Sequence, residues 1–500
     1  MSTAIGITMN VLLIYPEFPD TFWSFKYALE FVRKRAALPP LGLLTIASML
    51  PSEWSRRLVD TNVCGLSQDD LDWADCAFIS AMSVQRESTR QIIARCKEKG
   101  LRVIAGGPMF IDEHEDFHDV DHFVLNEAEL TLPGFLKDLA EGHPQRVYSS
   151  DQFADLGQTP APQWELLNLR RYSGMSVQFS RGCPFNCEFC SVTAMLGRHV
   201  RMKTSRQIID ELDGLYALGW RDTVFFVDDN FIGNKEFLKT DLLPTLIAWR
   251  KSKRGMTFYT EASINLADES SLMEMMVEAG FNRVFIGIET PDEKCLNECR
   301  KLQNKNRDLL EDVKRIQRAG LEVQGGFIVG FDHDKPSIFQ RQVDFIQQSG
   351  ITTAMVGVLQ AFPGTRLYER MKKEGRLCSA SSGDNVNSNT NFHPVMDLNM
   401  LREGYKGILH HIYSPKYYYQ RIRTYLRNIG PTRAKSPLQF SDVHALILSF
   451  WRLGIIGQGR FQYWSLLFCT LFRRPRLFPQ AVKLAIYCYH FRKICDLHVM

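Results

Sequence analysis

Short apolar runs closed by polar or turn residues recur through the first three quarters of the chain, alternating with stretches whose apolar positions fall three and four apart. Runs of the first kind read as buried strands and stretches of the second as helices. Met9–Pro16, Arg57–Asp60, Cys76–Ser80, Arg102–Gly107 and His122–Leu125 are predicted strands. Helices are expected from Pro39 through Ala47, where prolines suit a first turn, and over Arg86–Lys99. The alternation predicts a parallel, doubly wound α/β domain over residues 1–140, with ligands beyond the carboxyl ends of its strands. Gly142, Pro144, Gly157, Pro160 and Pro162 then mark a linker over 141–171, with 155–162 crossing the surfaces of both neighbouring domains.

A second alternating set follows over 172–377. Strands are predicted at Met175–Ser180, Thr223–Val227, Thr257–Glu261, Arg283–Glu289, Glu322–Val329 and Thr353–Val358, and Ser205–Leu218 is a helix with Ile208, Ile209, Leu212 and Leu215 on one face. Six βα units fit an incomplete parallel barrel, whose chemistry gathers at the carboxyl ends of the strands. From 378 to 500 the pattern becomes helical. Ser379–Asn391, rich in Ser, Asn and Gly, reads as a flexible surface loop. Met400–Tyr413 is a predicted helix, and apolar helical pieces follow at Ala445–Ile456, Phe461–Phe472 and Ala481–Phe491, broken by cations such as Arg452 and Arg473–Arg474–Pro475–Arg476. Two readings of this tail stand side by side: aromatic and arginine-rich helices at a membrane interface, or a helical cap on the barrel.

Composition narrows the picture. A net charge of +4 on 500 residues gives no electrostatic case for nucleic-acid binding. Twelve cysteines without pairing regularity fit a reducing cytoplasm. The start Met1–Ile5 lacks a basic signal-peptide region, and no run is apolar enough to span a bilayer, so the expected location is cytoplasmic, with peripheral contact at the inner membrane face if the tail lies on lipid.

The candidate chemistry centres on Arg181–Gly182–Cys183–Pro184–Phe185–Asn186–Cys187–Glu188–Phe189–Cys190. Three cysteines in a Cys-x3-Cys-x2-Cys loop after a strand can turn three thiolates toward one centre. Full protein ligation of a [4Fe-4S] cubane uses four, so three leave one iron open to a small ligand. Zinc sites favour two separated pairs, and no second pair stands at a matching distance. Phe185 and Phe189 are placed to shield the cluster. Polar residues gather at other strand ends: Asp228 and Asp229, Glu261, Glu289, and Gly330 with Gly326 just before it. Any one of those acids could instead cap a helix. In the first domain, Asp60–Thr61–Asn62, Ser80 and Gly106–Gly107 let backbone approach a large flat ligand. His199 and Arg201, after the cluster, could contact substrate or lie in an exposed loop, Tyr259 reads as packing, and Cys295 and Cys299 share one helical face as buried or inert thiols.

The cysteine trio resembles the hallmark of the radical S-adenosylmethionine (SAM) superfamily, and the order of domains resembles its cobalamin-dependent class, in the branch that includes the hopanoid C-2 methylases. The resemblance implies that Cys183, Cys187 and Cys190 hold a [4Fe-4S] cluster whose fourth iron takes SAM, and that cleavage of SAM yields a 5'-deoxyadenosyl radical. It also implies SAM contacts at Asp228, Asp229, Glu261, Glu289, Gly326 and Gly330, and cobalamin contacts at Asp60, Asn62, Ser80, Gly106 and Gly107. One departure matters: where the class signature Asp-x-His-x-x-Gly has its cobalt-ligating histidine, this chain has Asn62. The function implied is C-methylation of an unactivated carbon of a small molecule or hopanoid-like lipid, with electrons from a donor such as ferredoxin or flavodoxin. An oxidative cyclase of the anaerobic porphyrin type and a non-catalytic cobalamin or Fe-S binding protein are the alternatives. A methylthiotransferase lacks support, because no second cysteine trio is present.

Overall fold

The structure is a computed structural model that describes residues 8–384, 386–431 and 440–499. Met1–Ile5 therefore lies outside the described residues, as does Asn385 within the Ser/Asn-rich loop. Strands β1 (Asn10–Tyr15), β2 (Ser55–Asp60), β3 (Cys76–Ser80), β4 (Arg102–Gly106), β5 (His122–Val124) and β6 (Val147–Tyr148) form one parallel sheet in the order β2-β1-β3-β4-β5-β6. Val11 and Leu13 pack in one helical layer and Leu12 and Ile14 in the other, and all four are fully buried. That two-sided burial is why β1 reads as a continuous apolar run. The order reverses at β1, which puts the ligand crevice between the ends of β1 and β3. β6 departs from the expected linker: Phe123 and Val124 pair with Val147 and Tyr148, so the first sheet continues into that segment. The stretch after it does bridge the domains, since the Thr159 hydroxyl donates to Glu129 and the Gln207 amide donates to the carbonyls of Leu156, Gly157 and Thr159.

Strands β7 (Met175–Val177), β10 (Thr223–Phe226), β11 (Thr257–Glu261), β12 (Phe281–Glu289), β13 (Glu322–Val329) and β14 (Ala354–Val358) form a second parallel sheet in chain order. β7 and β14 are its unpaired edges, so the barrel is the expected incomplete (β/α)6. Between them in sequence, β8 (Ser180–Arg181) and β9 (Arg201–Met202) form an antiparallel pair that brackets the cysteine loop. Alternate residues face the lumen: Phe225 stacks on Tyr259 at 4.4 Å, while Val224 and Phe226 face the outer helices. Tyr259 is thus a packing residue, as its sequence context suggested.

The helical third is mostly a cap. Helices Leu398–Tyr413, Pro415–Asn428 and Phe478–His498 bury Tyr405, Tyr413, Tyr418, Tyr425 and Phe491 against the barrel. Pro415–Asn428 was hidden by its tyrosines and arginines. Its Arg421 is fully buried, donating to Gln347 at 2.6 Å and lying over the Tyr418 ring. From Phe478–His498, Gln480 and Lys483 reach Glu322 at the start of β13, closing that end of the barrel. The Ser/Asn-rich loop is stitched down rather than free: Asn391 is buried and exchanges two hydrogen bonds with Ala361, and Ser382 bonds Gln360. Its polar composition serves the fold's own backbone.

Candidate functional site

The cysteine loop is held from four sides. Gly182 has φ +92°, and a Cβ there would sit 2.6 Å from the His199 carbonyl oxygen, so this position requires glycine. The Gly182 N–H donates to the Asp229 carboxylate, and the Cys183 N–H to the Gly197 carbonyl at 3.2 Å. Further along, Glu188 donates its N–H to the Cys299 carbonyl, accepts from the Leu367 N–H, and pairs through its side chain with Arg370 at 2.8 Å. Phe189 packs near Phe331 at 6.3 Å. Cys295 and Cys299 are buried, the first donating to Asp334 and the second supplying the backbone acceptor for the loop.

Two of the three thiols, Cys183 and Cys190, are held in the neutral form by burial. Burial pushes Cys183 up and Cys190 up to about 12. Lys301 acts electrostatically on Cys183, Cys187 and Cys190; buried itself, it donates to Glu289 Oε1 at 2.7 Å. Gln303 reaches Cys187 Sγ at 3.7 Å. Among the described residues, ligand atoms close within 4.8 Å of one another only at Asp138, Glu141 and His143, a largely exposed group; the cysteine trio is not such a set, so it is too wide for one zinc ion. The separation, the need for positive charge and the missing fourth ligand fit a multi-iron cluster.

The acidic strand ends divide by role. Asp228 is fully buried, and both oxygens are taken: the Phe179 N–H donates to one at 3.2 Å and the Ser180 N–H and hydroxyl donate to the other at 2.5 Å. These bonds make it the anchor of the β7–β8 turn. Asp229 and Glu261 differ. Asp229 Oδ2 is buried without a partner, and among the described residues Glu261 forms no ion pair. Burial pushes Asp229 up to about 6, and burial with the neighbouring Asp229 and Asp228 carboxylates pushes Glu261 up to about 8. Two neighbouring acids without a direct salt bridge, one with a bare buried oxygen, suit a ligand that brings ammonium and hydroxyl donors, which SAM does. Glu289 holds Lys301 and adopts φ +63°, a left-handed backbone that the lysine contact helps fix. Gly326 faces the lumen, where a Cβ would touch Phe285 at 3.1 Å. Gly330 does not: its bare side faces Leu401 and Leu359, a packing demand.

In the first domain, Ser80 and Gly106 are register partners at the ends of β3 and β4. A Cβ on Gly106 would lie 2.6 Å from the Val124 carbonyl oxygen, and one on Gly107, φ +91°, 2.5 Å from Ser80 Oγ. Both positions therefore require glycine, because the protein's own atoms approach them closely at the ends of β3 and β4. Asn62 donates to the Pro16 carbonyl and Asp60, and accepts from the Phe18 N–H; Asp60 also accepts from the Tyr172 hydroxyl at 2.9 Å. Asn62 is tied to the β1 end of its own domain and Asp60 reaches across to Tyr172, so in this structure both side chains are turned to these partners. A cavity of about 410 Å³ lined by Met9, Asp75, Lys97 and Arg102 lies at the opposite, amino end of these strands and plays no part here.

Sequence reasoning missed the strongest tie between the halves. Arg181, immediately before Gly182, pairs with Glu127 at 3.0 Å and Glu129 at 2.8 Å, and Arg201 pairs with Glu127 at 2.7 Å. Glu127 is 4% exposed at its side chain and also accepts from the Ala154 N–H. Arg201 is therefore neither exposed nor substrate-facing; it lies over the Phe153 ring and bonds the first domain. Residues far apart in sequence make this network, and only the charges flanking the cysteine loop hinted at it.

Comparison with known proteins agrees with this geometry. Residues 177–346 match the model of the radical SAM superfamily, and 365–499 match a domain of unknown function, DUF4070. The chain is 41% identical to an uncharacterized methyltransferase of Synechocystis sp., covering 97% of this chain and 91% of that one. It is 34% identical to the hopanoid C-2 methylase of Rhodopseudomonas palustris, covering 93% and 90%. Two solved structures share the fold: the cobalamin-dependent SAM radical enzyme OxsB, with aqua-cobalamin and SAM bound (TM-score 0.62, 14% identity, 98% of this chain and 79% of that one), and the radical SAM methyltransferase TsrM of Kitasatospora setae, with cobalamin and a [4Fe-4S] cluster bound (TM-score 0.59, 13%, 98% and 100%).

Proposed function

Since the chain belongs to the radical SAM superfamily, among methyltransferases related to the hopanoid C-2 methylase, we propose that it methylates an unactivated carbon of a hopanoid-like lipid with the help of cobalamin. Neither a porphyrin-type cyclase nor a non-catalytic binding protein is favoured by these relatives. The observation that carries the reading is the Arg181 and Arg201 network with Glu127 and Glu129, which ties a cluster-type loop to the domain with glycines at its strand ends. Radical generation and methyl supply need such adjacency.

Cys183, Cys187 and Cys190 would hold the [4Fe-4S] cluster; Asp229, Glu261, Glu289 and Gly326 would line the SAM site, and Ser80, Gly106 and Gly107 the cobalamin site. Bound together, these groups supply hydrogen abstraction from carbon and a transferable methyl group. The chain's residues arrange the rest. Asp229 Oδ2 and Glu261 accept from cationic and hydroxyl donors, while Lys301 offsets thiolate charge. Trp23, half-exposed and 5.2 Å from Phe285 on β12, adds apolar surface beside the barrel, where a bound substrate would keep water from a radical. Asn62, locked by its hydrogen bonds, offers cobalt no imidazole. A ferredoxin- or flavodoxin-type protein would supply electrons, and the helical tail would give a peripheral membrane contact. Anaerobic reconstitution with iron, sulfide and hydroxocobalamin, then incubation of a hopanoid-type lipid with methyl-deuterated SAM, tests the reading: a deuterated methyl group on lipid carbon supports it, and label confined to S-adenosylmethionine cleavage products refutes it.

A further inference from the structure

The helical pair beginning at Phe440 carries an apolar face that no other described residue covers. Along Phe440–Ser449 and its π-helical continuation Phe450–Ile455, Phe440, Val443, Ile447, Trp451 and Ile455 recur every three or four residues and are 81, 51, 63, 56 and 54% exposed. The returning helix Arg460–Arg473 adds Phe461, Phe468 and Phe472 at 74, 53 and 81%. Trp464 joins the two stripes: its ring lies 5.3 Å from Phe450 and 5.7 Å from Phe468, and its indole N–H donates to the Gly454 carbonyl at 3.0 Å. Exposed apolar surface on this scale marks a docking site.

Charge identifies the occupant. Between Phe440 and Arg476 the sequence holds five arginines and one acid, Asp442. Arg460, Arg473, Arg474 and Arg476 are exposed at the ends of the returning helix, beside its aromatics. A dimer face has no need of a one-signed rim, whereas aromatics bordered by arginines match an anionic bilayer surface. No described helix is long and apolar enough to cross a membrane, so the face lies on lipid and does not span it.

We propose that this hairpin docks the protein on anionic lipid bilayers, its aromatic face in the acyl boundary and its arginines on the headgroups. The hairpin also rests on the segment from Phe22 to Val32: His444 bonds the Phe31 carbonyl at 2.9 Å and Arg452 pairs with Glu30 at 2.5 Å. That same segment carries Trp23 against Phe285 of the barrel. Docking thus sets the barrel's apolar approach beside the membrane, a consequence that rests on the lipid-substrate reading, although docking itself does not.

The test is flotation of the reconstituted full-length protein with vesicles of phosphatidylcholine alone or mixed with phosphatidylglycerol. Wild type floats with the anionic vesicles and is released by high salt. Replacing Arg473, Arg474 and Arg476 by Gln lowers partitioning by about fivefold per arginine. The double variant Phe461→Glu/Phe472→Glu lowers it at least tenfold while retaining its circular dichroism and cluster absorbance. Wild type that fails to float, or a double variant that floats equally well, overturns the proposal. So does a wild-type dimer that the double variant abolishes without any vesicle binding, because a second copy would then be the occupant. Vesicle binding is read without substrate, so a failure of methylation leaves it standing, and methylation of detergent-dispersed lipid survives a failure to dock.

Discussion

Removing Glu127 tests whether the first domain holds the cysteine loop in place. In Glu127→Ala, Arg201 loses its carboxylate and Arg181 keeps Glu129 as its one carboxylate, beside Gln178, while the Ala154 N–H loses its acceptor. Both guanidiniums are nearly buried, at 14 and 12% side-chain exposure, so solvent does little to screen the loss. Breaking a buried pair from one side costs about 3–5 kcal/mol. With a urea dependence of about 3 kcal/mol per molar, the midpoint should fall by about 1–1.7 M. The loss is local: hydrogen exchange over residues 182–199 and 147–160 should rise far more than over the barrel strands. Glu127→Gln keeps an acceptor and should cost clearly less. Unfolding and exchange like wild type in Glu127→Ala would refute the idea that these ions clamp the domains.

Other consequences follow from single residues. Glu261, pushed up from 4.5 to about 8 by burial, is raised on folding; the unfolded chain sheds its proton first, so stability falls as pH rises across that window and levels above it. Glu261→Gln should flatten that slope in urea titrations of the apoprotein, and an unchanged slope would assign it to other groups. Gly107→Ala places a methyl group 2.5 Å from Ser80 Oγ at φ +91°, and should abolish cobalamin retention after gel filtration while leaving cluster absorbance intact. Lys301→Met removes the cation that acts on all three cysteines and should move the cluster's midpoint potential to more negative values in an EPR-monitored titration.

Much of the architecture was legible because the strands are buried on both sides and announce themselves as apolar runs. β3 and β13 begin and end where the pattern placed them. β6, two residues long, carried no such signal and surfaced only through pairing with β5. Pro415–Asn428 was obscured because its inward face is built of tyrosines and Arg421, which read as polar although the fold buries them. The cysteine loop could be found from spacing alone. Which strand-end acids are free could not: Asp228 and Asp229 are adjacent in sequence, yet the Ser180 turn consumes one and leaves an oxygen of the other bare. Asp60 and Asn62 are taken up by the same kind of local hydrogen bonding, and Lys301 and Glu127 reach the loop only through folding.

The central claim is that Cys183, Cys187 and Cys190 build a cluster with one open iron, at which SAM is cleaved. Mass spectrometry of a reduced, anaerobically reconstituted sample with SAM, run beside Cys187→Ala, tests it most directly. Wild type should form 5'-deoxyadenosine and the variant, lacking cluster absorbance, none. Equal 5'-deoxyadenosine from both proteins would contradict the account.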